Sequence, residues 1–357
     1  MAHGNRSFPE KHMNQPINLS SDTQTLPTES MYEAMRSAPL GDDMDRMDPT
    51  VNKLEDLAAE KMGKEAALLV PSGTMGNLIS LMTHADPGDE VLVDSDAHIY
   101  YYEAGSMASV GGLMPRVIPR DGLLDPDQVV AAVRNQDQHF PTPRVLCLEN
   151  THNRSGGRVT PLDLHDKLCA VAKRFKLAVH LDGARIFNAA IASGNPVTEY
   201  AKHVDSVMFC LSKGLSCPVG SIIAGSQEFA DRARLIRKRL GGAMRQAGVI
   251  AACGIVALNT MIERLEEDHR HAQILAQGII KIPGLSVDLD SVESNMVYVD
   301  HTASGLSTDE VMSRLKKHGV IASDRSPTHV RLVTNRHHVR ATIDEALVRI
   351  KSAMDGD

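Results

Sequence analysis

The stretch "VMFCLSKGLSCPVGS" at residues 207–221 places a single lysine, Lys213, directly after an apolar run. A short apolar run of this kind is consistent with a buried strand, and a lysine beside it must be desolvated or find a partner. Desolvation disfavours the charged ammonium, and the neutral amine is a nucleophile toward carbonyl groups. The stretch therefore suggests a Schiff-base lysine at the end of a buried strand.

Similar apolar runs recur upstream and alternate with helical patterns. They are "AALLV" (66–70), "EVLVD" (90–94), "RVLCLEN" (144–150) and "LAVHLDGAR" (177–185). Between the last two lies the amphipathic stretch 161–176, whose leucines recur near helical spacing. Strands that alternate with helices predict an α/β domain with a mostly parallel sheet.

The pattern changes near the middle of the chain. Residues 250–280 carry one long helical pattern, and strand-like and helix-like segments follow it to the end of the chain. We predict a large domain over residues 1–260, with an N-terminal arm at 1–25, and a smaller C-terminal α/β domain over 261–357.

Composition excludes several classes of function. The net charge is -7 and the 38 Lys and Arg residues form no basic run, so we expect no nucleic-acid partner. We find no apolar stretch of membrane-spanning length and no signal peptide, and therefore expect a cytoplasmic protein without a membrane partner. The five cysteines lack metal-type spacing and indicate a reducing compartment.

Four histidines occur in close pairs, His269 with His271 and His337 with His338. These pairs lie in stretches rich in Arg and Glu, and no HExxH pattern accompanies them. We expect solvated side chains here, and no metal site in the protein.

Three polar clusters follow predicted strands, where open parallel sheets place their sites. In "PSGTMGN" (71–77), Ser72, Gly73 and Thr74 either bind an anion at a helix start or simply cap the helix. Asp182 in "HLDGAR" is either a buried carboxylate that needs a cation or a helix cap. The third cluster, "LENTHN" (148–153), is either part of a site or a polar loop.

The order of these features is more specific than each alone. A phosphate cradle, a carboxylate at a strand end and a lysine after the next strand fit a cofactor with a phosphate, a pyridine nitrogen and an aldehyde. Pyridoxal 5'-phosphate (PLP) has all three groups. We therefore predict that the loop at 72–74 binds its phosphate, Asp182 its pyridinium and Lys213 its aldehyde carbon.

A series of motifs resembles the threonine aldolase family, which are fold-type I PLP enzymes of the β-eliminating lyase group. The motifs are "SSDTQTLPT" (20–28), "GKEAALLVPSGTMGNL" (63–78), "DAHIYYYEAGS" (96–106), "CLENTHN" (147–153), "HLDGARIFNA" (180–189), "CLSKGL" (210–215), "GGAMRQAG" (241–248) and "VRLVTN" (330–335). The resemblance implies an aspartate aminotransferase-like large domain with a mixed, mostly parallel sheet.

The resemblance also assigns expected roles residue by residue. It makes Arg245 a ligand of the phosphate across a subunit interface. Ser21, Arg185 and Arg331 match the residues that hold the substrate carboxylate, where an Arg fork fixes both charge and plane. His98 resembles the histidine that stacks on the cofactor ring.

The implied reaction is the reversible cleavage of L-β-hydroxy-α-amino acids to glycine and an aldehyde. A base takes the β-hydroxyl proton, directly or through water. His98 is our candidate base, with ring stacking alone as the alternative. His139 matches a position near the substrate hydroxyl, and the alternative is an ordinary loop histidine.

The sequence departs from the family in two places. Where the family usually has a Tyr-Gly-Glu core, "GDDMDRMDPT" (41–50) has Asp45, Arg46 and Met47. We expect Arg46 to meet a second anionic group of the substrate, such as the side-chain carboxylate of 3-hydroxyaspartate; the alternative is a surface pair of Asp45 and Arg46. The second departure is "DRSPTHVR" (324–331), before the final arginine.

Other functions compete with the aldolase. The same scaffold supports β-elimination or dehydration of a hydroxy amino acid, and a non-catalytic PLP-binding protein is a further alternative. A transaminase fits less well, because nothing suggests a site for a second amino acid and keto acid pair. The expected partners are a small amino acid and an aldehyde. The resemblance also implies a homodimer or homotetramer with shared active sites.

Overall fold

The computed structural model of the chain describes residues 15–119 and 123–356. The strands are β1 (Ile17–Asn18), β2 (Ala66–Val70), β3 (Glu90–Asp94), β4 (Met114–Ile118), β5 (Pro143–Glu149), β6 (Ala178–Asp182), β7 (Ser206–Cys210), β8 (Ser221–Gly225), β9 (Met296–Asp300), β10 (Val320–Ile321), β11 (Ser323–Ser326) and β12 (His329–Val333). Residues 1–14 of the predicted arm and residue 357 lie outside the described residues.

The helices alternate with these strands through most of the chain. They are α1 (Glu29–Ser37), α2 (Pro49–Met62), α3 (Gly73–His84), α4 (His98–Tyr101), α5 (Ser106–Ser109), α6 (Pro126–Ala132), α7 (Leu162–Arg174), α8 (Ile186–Ser193), α9 (Val197–Ala201), α10 (Gln227–Arg239), α11 (Gly248–Thr260), α12 (Leu265–Ile279), α13 (Thr308–Lys317) and α14 (Arg340–Asp355). Short 3-10 helices cover Asp22–Gln24, Asp43–Asp45, Asn153–Ser155, Leu289–Ser291 and Thr302–Ser304.

A seven-stranded sheet in the order β2-β8-β7-β6-β5-β3-β4 forms the centre of the fold. Only β8 runs antiparallel to its neighbours, so the sheet is mixed and mostly parallel, as predicted. The carboxyl ends of the other six strands therefore lie at one edge. Glu149 and Asp182 are register partners there, at the ends of β5 and β6.

Both faces of this sheet are covered, which explains why its strands read as continuous apolar runs rather than as alternating ones. Along β7, Val207 and Phe209 belong to one apolar cluster, whereas Met208 and Cys210 belong to another. Helix α3 packs against β7 and β8, and α2 against β2. The desolvated environment inferred for the strand before Lys213 is therefore present.

The C-terminal part of the chain has its own sheet and apolar cluster. Strands β11, β12 and β9 form an antiparallel sheet, and buried residues between Ala272 and Ala353 form the cluster. Ile17 and Leu19 of the predicted arm join that cluster, and β1 pairs in parallel with β10. The boundary between residues 260 and 261 stays a prediction.

The long helical pattern at 250–280 is two helices rather than one. Helix α11 ends at Thr260, α12 begins at Leu265, and the two axes meet at 71°. Among the described residues, no single helix is long and apolar enough to cross a membrane; α11 and α12 meet that criterion only as a bent pair.

The expectation that the paired histidines are solvated is wrong for three of the four. His269, His271 and His338 are buried, and His337 is exposed. Nε2 of His269 contacts the Asn188 amide at 3.0 Å, and burial lowers the pKa of His269 to about 4. These are neutral side chains of the interior. The prediction failed because the neighbouring charged residues in the sequence suggested an exposed segment.

Asp48 fixes the segment that leads into α2. Its buried carboxylate accepts hydrogen bonds from the amides of Thr50 and Val51 at 3.0 Å, which caps the helix. The other oxygen accepts from Gly41 at 3.2 Å and from Gly248 at 2.9 Å. A side chain at Gly248 would place its Cβ within 2.4 Å of this carboxylate. One residue thus joins a loop and two helix starts.

We expect Asp48→Ala to lower the free energy of unfolding by about 3 kcal/mol, because three buried amides and one partly buried amide would lose their acceptor. Urea unfolding followed by circular dichroism measures the change. The control is Asp45→Ala, which alters an exposed carboxylate nearby and should change stability by less than about 0.5 kcal/mol. Equal stability of the two variants would contradict this role of Asp48.

Candidate active site

Five of the predicted site residues line one cleft at the carboxyl edge of the large sheet. The cleft has a volume of about 200 Å³ and is lined by Ser21, His98, Arg185, Lys213 and Arg331, among other residues. They come from five separate segments of the chain. His98, Arg185 and Lys213 follow β3, β6 and β7, and parallel strands bring the loops after them to the same edge of the sheet. Ser21 follows β1 and Arg331 lies on β12, outside the large sheet.

Lys213 lies in the turn that follows β7. Its carbonyl oxygen accepts hydrogen bonds from the Thr25 hydroxyl at 2.7 Å and from the Ser216 amide at 2.8 Å. Within residues 15–119 and 123–356, no carboxylate lies within ion-pair distance of its ammonium group. The backbone of Lys213 is therefore held from two sides, and its amine is left for a ligand in the cleft.

Asp182 ends β6 and is only 2% exposed. Its oxygens accept hydrogen bonds from the Asn77 amide group at 3.0 Å and from the Ala184 backbone at 3.1 Å. In the described parts of the chain no basic side chain forms an ion pair with it. A buried carboxylate without a cation is costly, so a cationic ring nitrogen fits this position.

His98 and Glu103 form a hydrogen-bonded pair beside Asp182. The distance from His98 Nδ1 to Glu103 Oε1 is 3.0 Å, and Asn77 also donates to Oε1 at 2.8 Å. Burial lowers the pKa of His98, but the hydrogen bond to Glu103 and the charge of Asp182 outweigh it and raise that pKa above its ordinary value. Because Nδ1 faces Glu103, Nε2 is the ring nitrogen left for a ligand.

The start of α3 has both features that the sequence analysis gave as alternatives, a helix cap and free backbone amides that suit an anion. The Ser72 hydroxyl caps the helix by accepting from the Met75 amide at 3.2 Å. The first backbone amides of the helix, at Gly73 and Thr74, have no partner within the helix and suit an anion. A Cβ on Gly73 would lie 2.9 Å from the Cys210 sulfur, so glycine allows the helix to begin against the end of β7.

Arg185 is bound to Asp22, a partner that the sequence analysis did not identify. Nε and Nη2 of Arg185 donate to the two carboxylate oxygens of Asp22 at 2.7 and 2.6 Å. Both side chains are buried. Burial raises the pKa of Asp22, but the Arg185 guanidinium outweighs it and holds that pKa well below its ordinary value. The charge of Arg185 is thus matched within the chain.

Among the residues that the structure describes, Arg331 has only neutral hydrogen-bond partners. Its Nη1 donates to the Asn153 side chain at 2.7 Å and its Nη2 to the Ser20 carbonyl at 3.0 Å. Its Nε is buried without an acceptor. Burial and the charges of Arg325 and Arg185 lower the pKa of Arg331 to about 10. This guanidinium is suited to a ligand carboxylate, which would supply the missing acceptor and countercharge.

Three predicted residues lie away from the cleft within this chain. His139 is in an exposed turn before the amino end of β5 and pairs with Asp137 at 2.7 Å. Arg46 is exposed, forms no ion pair among the described residues, and adopts a left-handed backbone with φ of 57°. Arg245 forms an exposed ion pair with Asp42 at 2.8 Å. The predicted roles of His139 and Arg245 stay proposals, and the role predicted for Arg46 stays an alternative to the one proposed below for Arg325.

Sequence reasoning missed several residues of the cleft. Besides Asp22, Asn77 and Glu103, these are Tyr102 and Arg325; Asn153, which also lines the cleft, belongs to the third polar cluster of the sequence analysis. All except Arg325 lie inside motifs that had been recognised, but no rule of spacing singled them out. Arg325 lies in the second departure from the family pattern.

His98, Glu103 and Asp182 are also close enough to hold a metal ion, since one ligand atom from each lies within 4.8 Å of the others. The neighbouring lysine and the helix start favour an organic cofactor with a phosphate over a lone ion. Asn77 also donates to both carboxylates, which occupies part of their coordination capacity.

We expect Glu103→Gln to lower the pKa of His98 by about one pH unit, because the variant removes a negative charge from its hydrogen-bond partner. An NMR titration of the purified protein with labelled histidine measures this pKa. Glu60→Gln, an exposed change on α2, is the control and should leave the titration of His98 unchanged. An unaltered pKa in Glu103→Gln would show that Glu103 does not govern the protonation of His98.

Comparison with known proteins gives close relatives over most of the chain. A family model described as Beta-eliminating lyase matches residues 18–302. The chain is 43% identical over 334 residues to low-specificity L-threonine aldolase 1 of Arabidopsis thaliana, covering 92% of this chain and 93% of that protein. It is 43% identical over 285 residues to the low specificity L-threonine aldolase of Escherichia coli K12, covering 79% and 84%.

Solved structures confirm the predicted fold. The threonine aldolase of Leishmania major superposes with a TM-score of 0.82 at 19% identity, covering 95% of this chain and 100% of that one. The aspartate aminotransferase of Rhizobium meliloti gives a TM-score of 0.68 at 16% identity, covering 96% and 92%. The fold is therefore that of fold-type I PLP enzymes. Together with the sequence relatives, this shows that the chain belongs to the β-eliminating lyase family and, within it, to the threonine aldolases.

Proposed function

We infer that this protein is a PLP-dependent aldolase that cleaves L-threonine and related L-β-hydroxy-α-amino acids to glycine and an aldehyde, and catalyses the reverse reaction. The observation that carries this inference is the arrangement around one cleft, which is lined by Lys213, His98 and Arg331. A carboxylate oxygen of Asp182 lies within 4.8 Å of a His98 ring nitrogen, and α3 begins against the end of β7, the strand before Lys213. The threonine aldolases that the chain resembles support the reaction type.

The residues present fit PLP. Asp182 is a buried carboxylate that needs a cation, Gly73 and Thr74 offer amides to a phosphate, and Lys213 offers an amine to the aldehyde. His98 would stack on the ring. When bound, PLP supplies an electron sink for the electron pair released at the substrate Cα. Arg245 is proposed to reach the phosphate from a neighbouring subunit.

Ser21, Arg185 and Arg331 are proposed to hold the substrate α-carboxylate. Asp22 already neutralises Arg185, whereas Nε of Arg331 has no acceptor. Arg331 is therefore the stronger candidate for the ionic contact. Two-point binding of the carboxylate would fix its plane and so orient the Cα–Cβ bond for cleavage.

His98 is proposed as the group that accepts the β-hydroxyl proton, through Nε2. Its raised pKa makes the deprotonated imidazole a stronger base, and Glu103 would stabilise the imidazolium that forms. Stacking without proton transfer stays the alternative. His139 is proposed to position the hydroxyl, which requires a neighbouring subunit to bring it to the cleft.

Two alternatives give different observable results. The family name includes β-eliminating lyases, and elimination from a hydroxy amino acid yields ammonia and a keto acid instead of glycine. A non-catalytic PLP-binding protein would show the absorption of bound PLP and no product. Product analysis separates all three.

The proposal includes a homodimer or homotetramer with shared sites and a cytoplasmic location. The exposed positions of Arg245 and His139 support a shared site, because neither reaches the cleft of its own chain. The five cysteines are buried and unpaired, as in reducing compartments.

Lys213→Ala should lose the visible absorption band of covalently bound PLP and cleavage of L-threonine, because the cofactor loses its attachment point. The measurements are the spectrum of the purified protein and the yields of glycine and aldehyde. Lys316→Ala, an exposed change on α13, is the control and should keep both. Retention of glycine formation in Lys213→Ala would contradict the assignment of the lysine.

Arg331→Lys should raise KM for L-threonine about 10- to 100-fold with a smaller change in kcat, because a lysine cannot reproduce the guanidinium contacts. Steady-state kinetics measures both constants. Arg270→Lys on α12 changes an exposed arginine and should leave them unchanged. An equal effect of the two variants would exclude Arg331 as the carboxylate ligand.

A further inference from the structure

The cleft contains more basic side chains than can be neutralised by its own carboxylates together with the single carboxylate of an ordinary amino-acid substrate. Four basic side chains line it: Arg185, Lys213, Arg325 and Arg331. Asp22 neutralises Arg185 through two hydrogen bonds. The amine of Lys213 is proposed to bind the aldehyde of the cofactor. Two guanidinium groups are left, and a substrate with a single carboxylate would match only one of them.

Arg325 has no internal partner. Among the described residues, no hydrogen bond or ion pair involves its side chain, and its Nε is buried without an acceptor. The adjacent carboxylate, Asp324, is exposed and does not pair with it. A half-buried guanidinium in this state lacks an anion, and Arg331 beside it has only neutral partners.

The backbone places Arg325 in the cleft by an irregularity of the strand. In the pairing of β11 with β12, Asp324 is opposite Val330 and Ser326 is opposite His329, so Arg325 is an extra, unpaired residue. Such bulges turn a side chain out of the regular alternation and occur next to active sites. The bulge lies in the three-stranded sheet, whereas Asp182 and Lys213 belong to strands of the seven-stranded sheet or to the turns after them.

We propose that Arg325 binds a second carboxylate of the substrate, so that this aldolase favours β-hydroxy-α-amino acids with an acidic side chain. The inference rests on the proposed function and deepens it. Arg331 takes the α-carboxylate, and Arg325 takes the carboxylate attached to Cβ. A substrate such as 3-hydroxyaspartate carries these groups on adjacent carbon atoms, which suits two neighbouring guanidinium groups.

The reaction balances without a further reactant. The Cα–Cβ bond breaks, the β-hydroxyl loses its proton to the base, and the β-oxygen becomes the carbonyl oxygen of glyoxylate. The electron pair stays with Cα, which takes up a proton to give glycine. Arg325 changes no bond in this sequence; it holds the carboxylate of the departing half.

This proposal assigns to Arg325 the contact that the sequence had suggested for Arg46. Arg46 does not line the cleft of its own chain, and its left-handed backbone is one that glycine adopts readily. Arg46→Gly is therefore a useful comparison variant, since it removes an arginine from the other departure from the family pattern.

The first experiment measures binding by calorimetry on the PLP-loaded protein, with L-aspartate and its neutral isostere L-asparagine as probes. Neither probe has a β-hydroxyl, so neither can undergo the cleavage reaction. We expect L-aspartate to bind about 10- to 100-fold more tightly than L-asparagine, as for one charge-assisted contact. Arg325→Gln should abolish this difference, Arg325→Lys should keep part of it, and Arg46→Gly should keep all of it.

The second experiment compares kcat/KM for 3-hydroxyaspartate and L-threonine. Arg325→Gln should lower the value for 3-hydroxyaspartate about 10- to 100-fold and change that for L-threonine less than about 3-fold. An equal loss on both substrates, no loss on either, or a change of selectivity in Arg46→Gly instead would overturn the proposal. So would equal binding of the two probes by the unaltered protein.

The two proposals fail separately. If the unaltered protein cleaves neither substrate, the aldolase assignment fails, whereas Arg325 is still judged by the aspartate and asparagine affinities. If it cleaves L-threonine but does not discriminate between the two probes, the aldolase stands and the role of Arg325 is wrong.

Discussion

The buried ion pair between Asp22 and Arg185 is the interaction on which the cleft depends. Asp22 follows β1, which pairs with β10 in the C-terminal part of the chain, whereas Arg185 follows β6 of the large sheet. Asn295, before β9, also donates to Asp22 at 3.3 Å. The pair therefore joins three parts of the fold at the wall of the cleft. Buried pairs contribute little net stability, but loss of one partner leaves a costly charge, so the value of this pair is positional.

The same pair determines which arginine remains for a ligand. A guanidinium that already binds a carboxylate through two hydrogen bonds has few free N–H donors and no unmatched charge. A guanidinium with neutral partners keeps its positive charge and attracts an anion. By this criterion Arg185 has a structural role and Arg331 is the arginine proposed to bind the ligand, although the sequence motif gives them the same role. Asp182 is the opposite case. It is a buried carboxylate whose hydrogen-bond donors, Asn77 and Ala184, are neutral, so it is suited to bind a cation.

Much of the fold was predictable because burial leaves a direct mark on the sequence. The runs that end at Val70, Asp94, Glu149, Asp182 and Cys210 are strands as predicted, and residues after several of them line the candidate site. The antiparallel direction of β8 could not be predicted, because an apolar run has the same pattern in a parallel and in an antiparallel strand. The break between α11 and α12 was also missed, since helical periodicity continues across it. Partners such as Asp22 depend on contacts between distant segments, which periodicity does not contain.

The residues proposed to bind the cofactor and Arg325, which is proposed to bind the substrate, lie at different sheets. This arrangement explains how the chain can depart from the family pattern near Arg325 and still keep the family motifs of the large sheet. Asp182 ends one central strand and Lys213 follows another, and a shift of register there would disturb the whole sheet. Arg325 lies on β11, at the edge of a three-stranded sheet, where an extra residue is absorbed by a bulge. A change at that edge alters the charge of the cleft while leaving the strands that hold the cofactor residues in place. With the role proposed for Arg325, substrate preference can vary at this edge while the residues proposed to bind the cofactor stay in place. The motifs therefore identify the reaction more firmly than the substrate.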